Sequence, residues 1–185
     1  MPQRIGYLDI ETSNLKADFG VIYSWCIKYR GLNKFEGYVL KKNDYTILER
    51  DKEATRSLII ALGQFTTIVT YYGGNYQFDM PFLRTRALKY DFQFPPYKSL
   101  RHIDLYQQVR GKLKLHSNRL ESVSEFLHLE PRKSKIDTDI WNRANLAYDK
   151  EALAYIWEHN KIDTILLEKL HEKIEPYMAY SNRSI

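Results

Sequence analysis

Near the N-terminus, Gly6-Tyr7-Leu8-Asp9-Ile10-Glu11-Thr12 is an apolar run that ends in two carboxylates one residue apart. Side chains alternate along a strand, so Asp9 and Glu11 emerge on the same side of it. Two anions held that close repel each other, and a divalent cation is the simplest group to relieve them. Mg²⁺ and Mn²⁺, as hard cations, prefer carboxylate oxygens. The rest of the chain is expected to fold so that further carboxylates reach this pair. Spacing alone does not carry that expectation. Asp51-Lys52-Glu53 and Asp149-Lys150-Glu151 repeat it and read as ordinary charges near helix starts. What sets Asp9 and Glu11 apart is the apolar company of Ile5, Tyr7, Leu8 and Ile10. An acidic pair ending a buried strand needs a reason, whereas one on a solvated turn does not.

The segments that follow suggest what surrounds that strand. Thr12 to Leu15 reads as a turn. Val21–Tyr29 and Phe35–Leu40 are rich in β-branched and aromatic residues and read as strands joined by Gly31-Leu32-Asn33-Lys34, giving an antiparallel meander. Glu53–Phe65 has a helical period in Leu58, Ile59, Leu62 and Phe65. Thr66–Tyr72 reads as a buried strand stopped by Gly73-Gly74. Phe78–Tyr90 places Phe82, Leu83, Ala87 and Leu88 on one helical face, with Pro81 tolerable in the first turn. Leu100–Leu105 reads as a short strand parallel to the first and fourth. Leu120, Val123, Phe126 and Leu127 form an amphipathic segment, and Ala152–Ile174 is phased as one or two packed helices. The pattern predicts an α/β fold: a mixed central sheet, antiparallel meander plus parallel strands, flanked by helices.

At 185 residues, one domain over 1–185 is the expectation, with 177–185 as a frayed tail. No apolar run approaches a membrane span, and Met1-Pro2-Gln3-Arg4 leads straight into the first strand without a secretory signal. Cys26 is the single cysteine, which excludes an intrachain disulfide and disfavours a Cys-ligated zinc site. A cytoplasmic protein is the default expectation. The net charge of +5 suggests a polyanionic partner. Fifteen tyrosines among basic residues suit the stacking of unpaired bases, or equally an aromatic-rich core.

Three segments carry acids in meaningful places: Asp9-Ile10-Glu11, Asn75-Tyr76-Gln77-Phe78-Asp79, and His159-Asn160-Lys161-Ile162-Asp163. Each acid singly has an ordinary explanation, Asp79 as a helix N-terminal charge and Asn75 as a cap. Jointly, and in this order, they make the sequence resemble the DEDD (DnaQ-like) 3′–5′ exonucleases of the RNase H-like fold. The proofreading domains of family B DNA polymerases and the stand-alone YprB-like group look most similar. Asp9-Ile10-Glu11-Thr12 resembles the first motif of that family. Asn75-x-x-Phe78-Asp79-x-Pro81-x-Leu83-x-x-Arg86-Ala87 resembles the second, and Asn160-x-x-Asp163 the third. His102-Ile103-Asp104-Leu105 takes the place of the family's following Asp-Leu strand. Two departures stand out. Where the family continues Thr-Gly-Leu, this chain has Ser13-Asn14-Leu15, and Asn14 is expected to supply the positive-φ turn of that glycine. Family members carry a Tyr four residues before the last Asp or a His five before it. Here Glu158 is five before and His159 four before, so a histidine occupies the tyrosine spacing. Residues i and i+4 share a helix face, which puts His159 beside Asp163.

The resemblance implies a metal-dependent 3′–5′ exonuclease that hydrolyses phosphodiester bonds of single-stranded DNA or RNA. Asp9, Glu11, Asp79 and Asp163 would bind two Mg²⁺ or Mn²⁺ ions about 4 Å apart. His159 would accept the proton of the attacking water or hold the water in line. Thr12, Asn14, Leu15, Asn75 and Phe78 would grip the terminal nucleotide. Lys112 and Lys114, within the run Arg110 to Arg119 between elements, would track the phosphate backbone, and Arg132, Lys133 and Lys135 form a further basic cluster. No membrane partner is expected, and larger protein partners stay open. The alternatives are a structure-specific endonuclease on the same fold and an inert nucleic-acid-binding or adapter module.

Overall fold

The computed structural model describes residues 4–74, 77–96, 98–132 and 135–178. Five strands form one mixed sheet: β1 (Ile5–Thr12), β2 (Ile22–Tyr29), β3 (Phe35–Val39), β4 (Thr67–Thr70) and β5 (Arg101–Asp104), in the order β3-β2-β1-β4-β5. Helices α1 (Lys52–Leu62), α2 (Asp79–Lys89), α3 (Leu105–Lys112), α4 (Leu120–Phe126), α5 (Thr138–Leu146) and α6 (Lys150–Ile174) flank it. The expected mixed sheet is therefore present.

Strands β1, β2 and β3 form the antiparallel meander. Parallel neighbours need a crossover rather than a hairpin; α1 precedes β4, which pairs parallel with β1, and α2 crosses from β4 to its parallel partner β5. β4 pairs with Ile5, Gly6 and Tyr7 alone. The acidic end of β1 thus runs on beyond its parallel neighbour, where the turn after β4 and the start of α2 meet it.

Two apolar clusters hold the layers together. One gathers Leu8, Ile10, Trp25 and Ile27 with Leu58 and Leu62 of α1 and Phe82 and Leu83 of α2. The other joins Tyr7 and Val69 to Leu105, Val123, Leu166 and Leu170. Each fully buried Leu contributes about 1.5–3 kcal/mol. Helix α6 takes part in both: Ala152, Leu153 and Ile156 belong to the first cluster, Leu166, Leu167, Leu170 and Ile174 to the second. Between them its buried residues turn polar, at His159, Asn160, Asp163 and Thr164. Buried polar side chains need partners; the acidic end of β1 supplies them for His159 and Asn160, while Thr164 donates to the Lys161 carbonyl of its own helix.

Several expectations are corrected. Leu88 is 70% exposed and Phe126 64%, so neither belongs to the apolar face assigned to it; each sits near the end of a short helix whose packing surface has already passed. Helices α3 and α5 were unforeseen. Arg110 and Lys112 lie in the last turn of α3 rather than between elements, where cations complement the helix dipole. Leu105 opens α3 instead of ending β5. Asp51 is no ordinary surface charge: it is fully buried and paired with Arg86. Of the tail, Tyr177 closes a short 3-10 turn and Met178 packs on the second cluster; residues 179–185 lie outside those described.

Candidate metal centre

The polar middle of α6 lies against the end of β1. Asn160 donates from Nδ2 to Asp9 Oδ2 at 2.6 Å, and its own Oδ1 accepts from the Ser24 hydroxyl on β2. Asp9 and Ser24 stand on adjacent antiparallel strands, so one buried amide fixes the Asp9 carboxylate to the sheet. One turn of helix relates His159 to Asp163. His159 Nε2 is 3.5 Å from Glu11 Oε1 and 3.7 Å from Asp163 Oδ2. Glu158 and Tyr155 face elsewhere: Glu158 pairs with Lys161 at 2.9 Å, and the Tyr155 hydroxyl donates to the Lys135 carbonyl.

Asp79 arrives from the other direction, at the start of α2. The turn that delivers it is stapled by Asp104, whose carboxylate accepts from the amides of Tyr72 and Gly74, each at 3.0 Å, and from Tyr106 at 2.9 Å. Tyr72 takes a left-handed φ of 63° within this turn. A Cβ at Gly73 would collide with Thr70 Oγ1 and Asp79 Oδ2, so glycine is what lets the chain pass this carboxyl. Burial pushes the Asp79 carboxyl up to about 7. Hydrogen bonding to its own backbone and that of Ile10 opposes the rise, while the charges of Asp104 and Asp163 add to it. Ile10 lies between Asp9 and Glu11, which brings Asp79 to the same end of β1.

The other candidate residues are more scattered. Thr12 ends β1 and donates to the Asn14 carbonyl at 2.9 Å. Asn14 does not take the expected left-handed φ; outside glycine, those described are Tyr72, Asp91, Lys98 and His128. Its side chain makes the turn instead, Oδ1 accepting from the Lys16 amide at 2.9 Å. Leu15 is 79% exposed on the same loop. Phe78 precedes α2 and tilts against Phe82, ring centroids 5.5 Å apart. It lines a small recess with Leu15. Asn75 lies outside the described residues. Lys112 ends α3 and Lys114 follows it, on a helix that grows from β5 rather than from β1 or α6.

Asp51, Arg86 and Asn160 also shape the site, beyond the residues that the sequence singles out. Arg86 donates from Nε to Asp51 Oδ2 at 2.9 Å and from Nη1 to the Ala17 carbonyl at 3.0 Å. Asp51 also accepts from the Ile22 amide at 3.0 Å. Together they pin the loop between β1 and β2 that carries Thr12, Asn14 and Leu15. The signals were Arg86 within the second motif and Asn160 within the third.

Glu11, His159 and Asp163 each offer one ligand atom, and these atoms lie within 4.8 Å of one another. Asp9 and Asp79 stand beside them at the same strand end. The carboxylates of Glu11 and Asp163 suit a hard divalent cation, with His159 Nε2 beside them. The Asp79 carboxyl is raised by burial first and by the charges of Asp104 and Asp163 after it, and a cation beside it would offset both. The residues therefore fit a divalent ion.

The family model described as RNase_H superfamily matches residues 6–175. No curated protein matches the sequence. Among solved structures, the family B DNA polymerase from the hyperthermophilic archaeon Pyrobaculum calidifontis is similar, with a TM-score of 0.74 and 17% identity. The likeness covers 96% of this chain and 25% of the polymerase, so the chain spans about a quarter of that protein's length. At that identity the likeness is one of fold.

Proposed function

Since the chain belongs to the RNase H superfamily, we propose that it is a metal-dependent 3′–5′ exonuclease acting on single-stranded DNA or RNA. One observation carries this reading. Acids from three distant segments, on β1, at the start of α2 and in the middle of α6, meet at one strand end. Mutually repelling carboxylates have no place in a purely structural module. The polymerase neighbour acts on DNA by its name, which supports a nucleic-acid substrate.

In this reading Asp9, Glu11, Asp79 and Asp163 would hold two divalent ions, Mg²⁺ or Mn²⁺, which when bound would supply Lewis acidity for attack on a phosphodiester. The chain's own groups do the rest. Asn160 keeps the Asp9 carboxylate from swinging. His159, between Glu11 and Asp163, takes the proton of the attacking water. The water oxygen bonds to phosphorus, the bond to the 3′ oxygen breaks, and that oxygen leaves as a hydroxyl after taking up a proton. A nucleoside 5′-monophosphate is released. Thr12, Asn14 and Leu15, on the loop that Arg86 and Asp51 pin, and Phe78, at the start of α2, flank the terminal nucleotide.

The test is direct. With Mg²⁺ or Mn²⁺, 5′-labelled single strands of DNA and RNA are expected to give ladders that shorten from the 3′ end. A covalently closed circular strand should stay intact, because an exonuclease has no end to start on. Cutting of the circle would replace this reading with an endonuclease. Intact linear strands under both metals would overturn hydrolysis altogether.

A further inference from the structure

A second cavity, of 480 Å³, opens between α2, the edge strand β5 and the segment joining them. That volume lies within the range of about 300–1,000 Å³ usual for small-ligand sites. Met80 and Leu100 give it an apolar floor and Phe94 a flat ring. Among the described residues its titratable lining is Arg84, Lys98, Arg101 and His102, with no carboxylate. Arg84 lies over the Phe94 ring, 5.2 Å from its centroid. Stacking on the ring holds the guanidinium in place for a ligand. His102 is tied to Thr70 Oγ1 at 2.9 Å, and burial lowers its pKa, so near neutrality it serves as a hydrogen-bonding wall. Lys98 is held at a left-handed φ of 70°, a conformation a lysine adopts only where its surroundings impose it.

The first turn of α2 separates this cavity from the acidic cluster: Asp79 belongs to one and Met80 to the other. Three cations over an apolar, aromatic floor match the two halves of a nucleotide. Guanidinium forks take phosphate oxygens, and bases lie on rings and guanidinium planes. The acidic cluster could not hold such an anion without metal.

We infer that this cavity binds a nucleoside monophosphate unit, either free or as one residue of a nucleic-acid strand, at a second site beside the acidic cluster. The inference stands on the cavity's own lining and does not need hydrolysis.

It is tested in EDTA, so that no metal holds nucleotide at the acidic cluster. The protein and its Arg84→Gln/Arg101→Gln variant, both changes at exposed positions, are titrated with dAMP, AMP and a short oligothymidylate. The Met80 methyl resonance reports occupancy of the floor, and fluorescence anisotropy reports strand binding. Binding of dAMP or AMP that shifts Met80 and weakens about tenfold or more in the variant supports a free mononucleotide. A shift by the oligonucleotide alone supports a strand residue, with the salt slope of binding falling by about two units in the variant. The inference is overturned if no probe moves Met80 or if the variant binds every probe as tightly as the wild type. It is also overturned if inorganic phosphate matches dAMP in affinity.

Discussion

His159 Nε2 lies 3.5 Å from Glu11 and 3.7 Å from Asp163, and the proposed hydrolysis gives this imidazole the proton of the attacking water. If it handles the proton of water, His159→Ala should lower the hydrolytic rate by about 10²–10⁴-fold, the usual worth of a general base. His159→Tyr should retain part of the activity, because a tyrosine hydroxyl at this spacing can still position water. A steady-state comparison of the three proteins on one labelled strand reads this, and wild-type speed in the Ala variant would make the histidine a bystander. The meeting of His159 and Asp163 was legible, since i,i+4 spacing is local helix geometry. The role of Asn160 was not. Nothing in the sequence says that its amide bridges Asp9 and Ser24, at sequence separations above one hundred. The turn at Asn14 differs for a local reason: asparagine can make a turn by a left-handed φ or by a side-chain hydrogen bond, and here its Oδ1 accepts from the Lys16 amide.

Elements with dense apolar patterns were readable, and those with sparse ones were not. The β-branched runs of β2 and β4 and the long phase of α6 announce themselves. Helix α3 has only Leu105 and Val109 buried, and α5 only Ala144, too few to set a period. The pin between elements escaped for another reason: Asp51 and Arg86 are 35 residues apart, and Asp51-Lys52-Glu53 looks like a helix-start charge cluster. Their pair is fully desolvated, with the Tyr90 hydroxyl and the Ile22 amide also on Asp51. Arg86→Ala leaves that carboxylate buried without its cation, and should cost about 3–5 kcal/mol. Urea denaturation with an unchanged m-value checks it; a loss within experimental scatter of zero would mean that Asp51 finds another partner. Because Arg86 also holds the Ala17 carbonyl, the same variant should loosen the loop that carries Thr12, Asn14 and Leu15.

At the scale of the molecule, two apolar clusters and one long helix set the sheet against its acidic centre, and pH should report on that packing. His171 is buried under β1, its Nδ1 3.0 Å from the Tyr7 hydroxyl, and burial lowers its pKa below 6.5. As pH falls through about 6.5 the unfolded chain takes up this proton before the folded one does, so stability is lost on the acid side. Asp79 acts in the opposite sense in metal-free protein: its raised carboxyl binds a proton more readily when folded, which adds stability as pH falls from about 7. The contribution of His171 is therefore read as a difference. The melting-temperature advantage of wild type over His171→Gln should shrink as pH falls below about 6.5, and an advantage that stays constant would contradict the buried neutral imidazole. The mixed topology itself was legible, from the meander followed by strand–helix–strand units. That its strand ends would gather these acids came from the order of the motifs, not from periodicity.

The claim at the centre is that these converging carboxylates exist to hold divalent metal for hydrolysis. The measurement that tests it most directly compares wild type with Asp163→Ala on a 5′-labelled single strand, each with Mn²⁺ and with EDTA, alongside their melting curves. Wild type should shorten the strand with Mn²⁺ and leave it intact in EDTA. Asp163→Ala should be inert in both while melting at or above the wild-type temperature, because repulsion among the acids is relieved. Strand cleavage by Asp163→Ala at the wild-type rate, or by wild type in EDTA, would contradict the account.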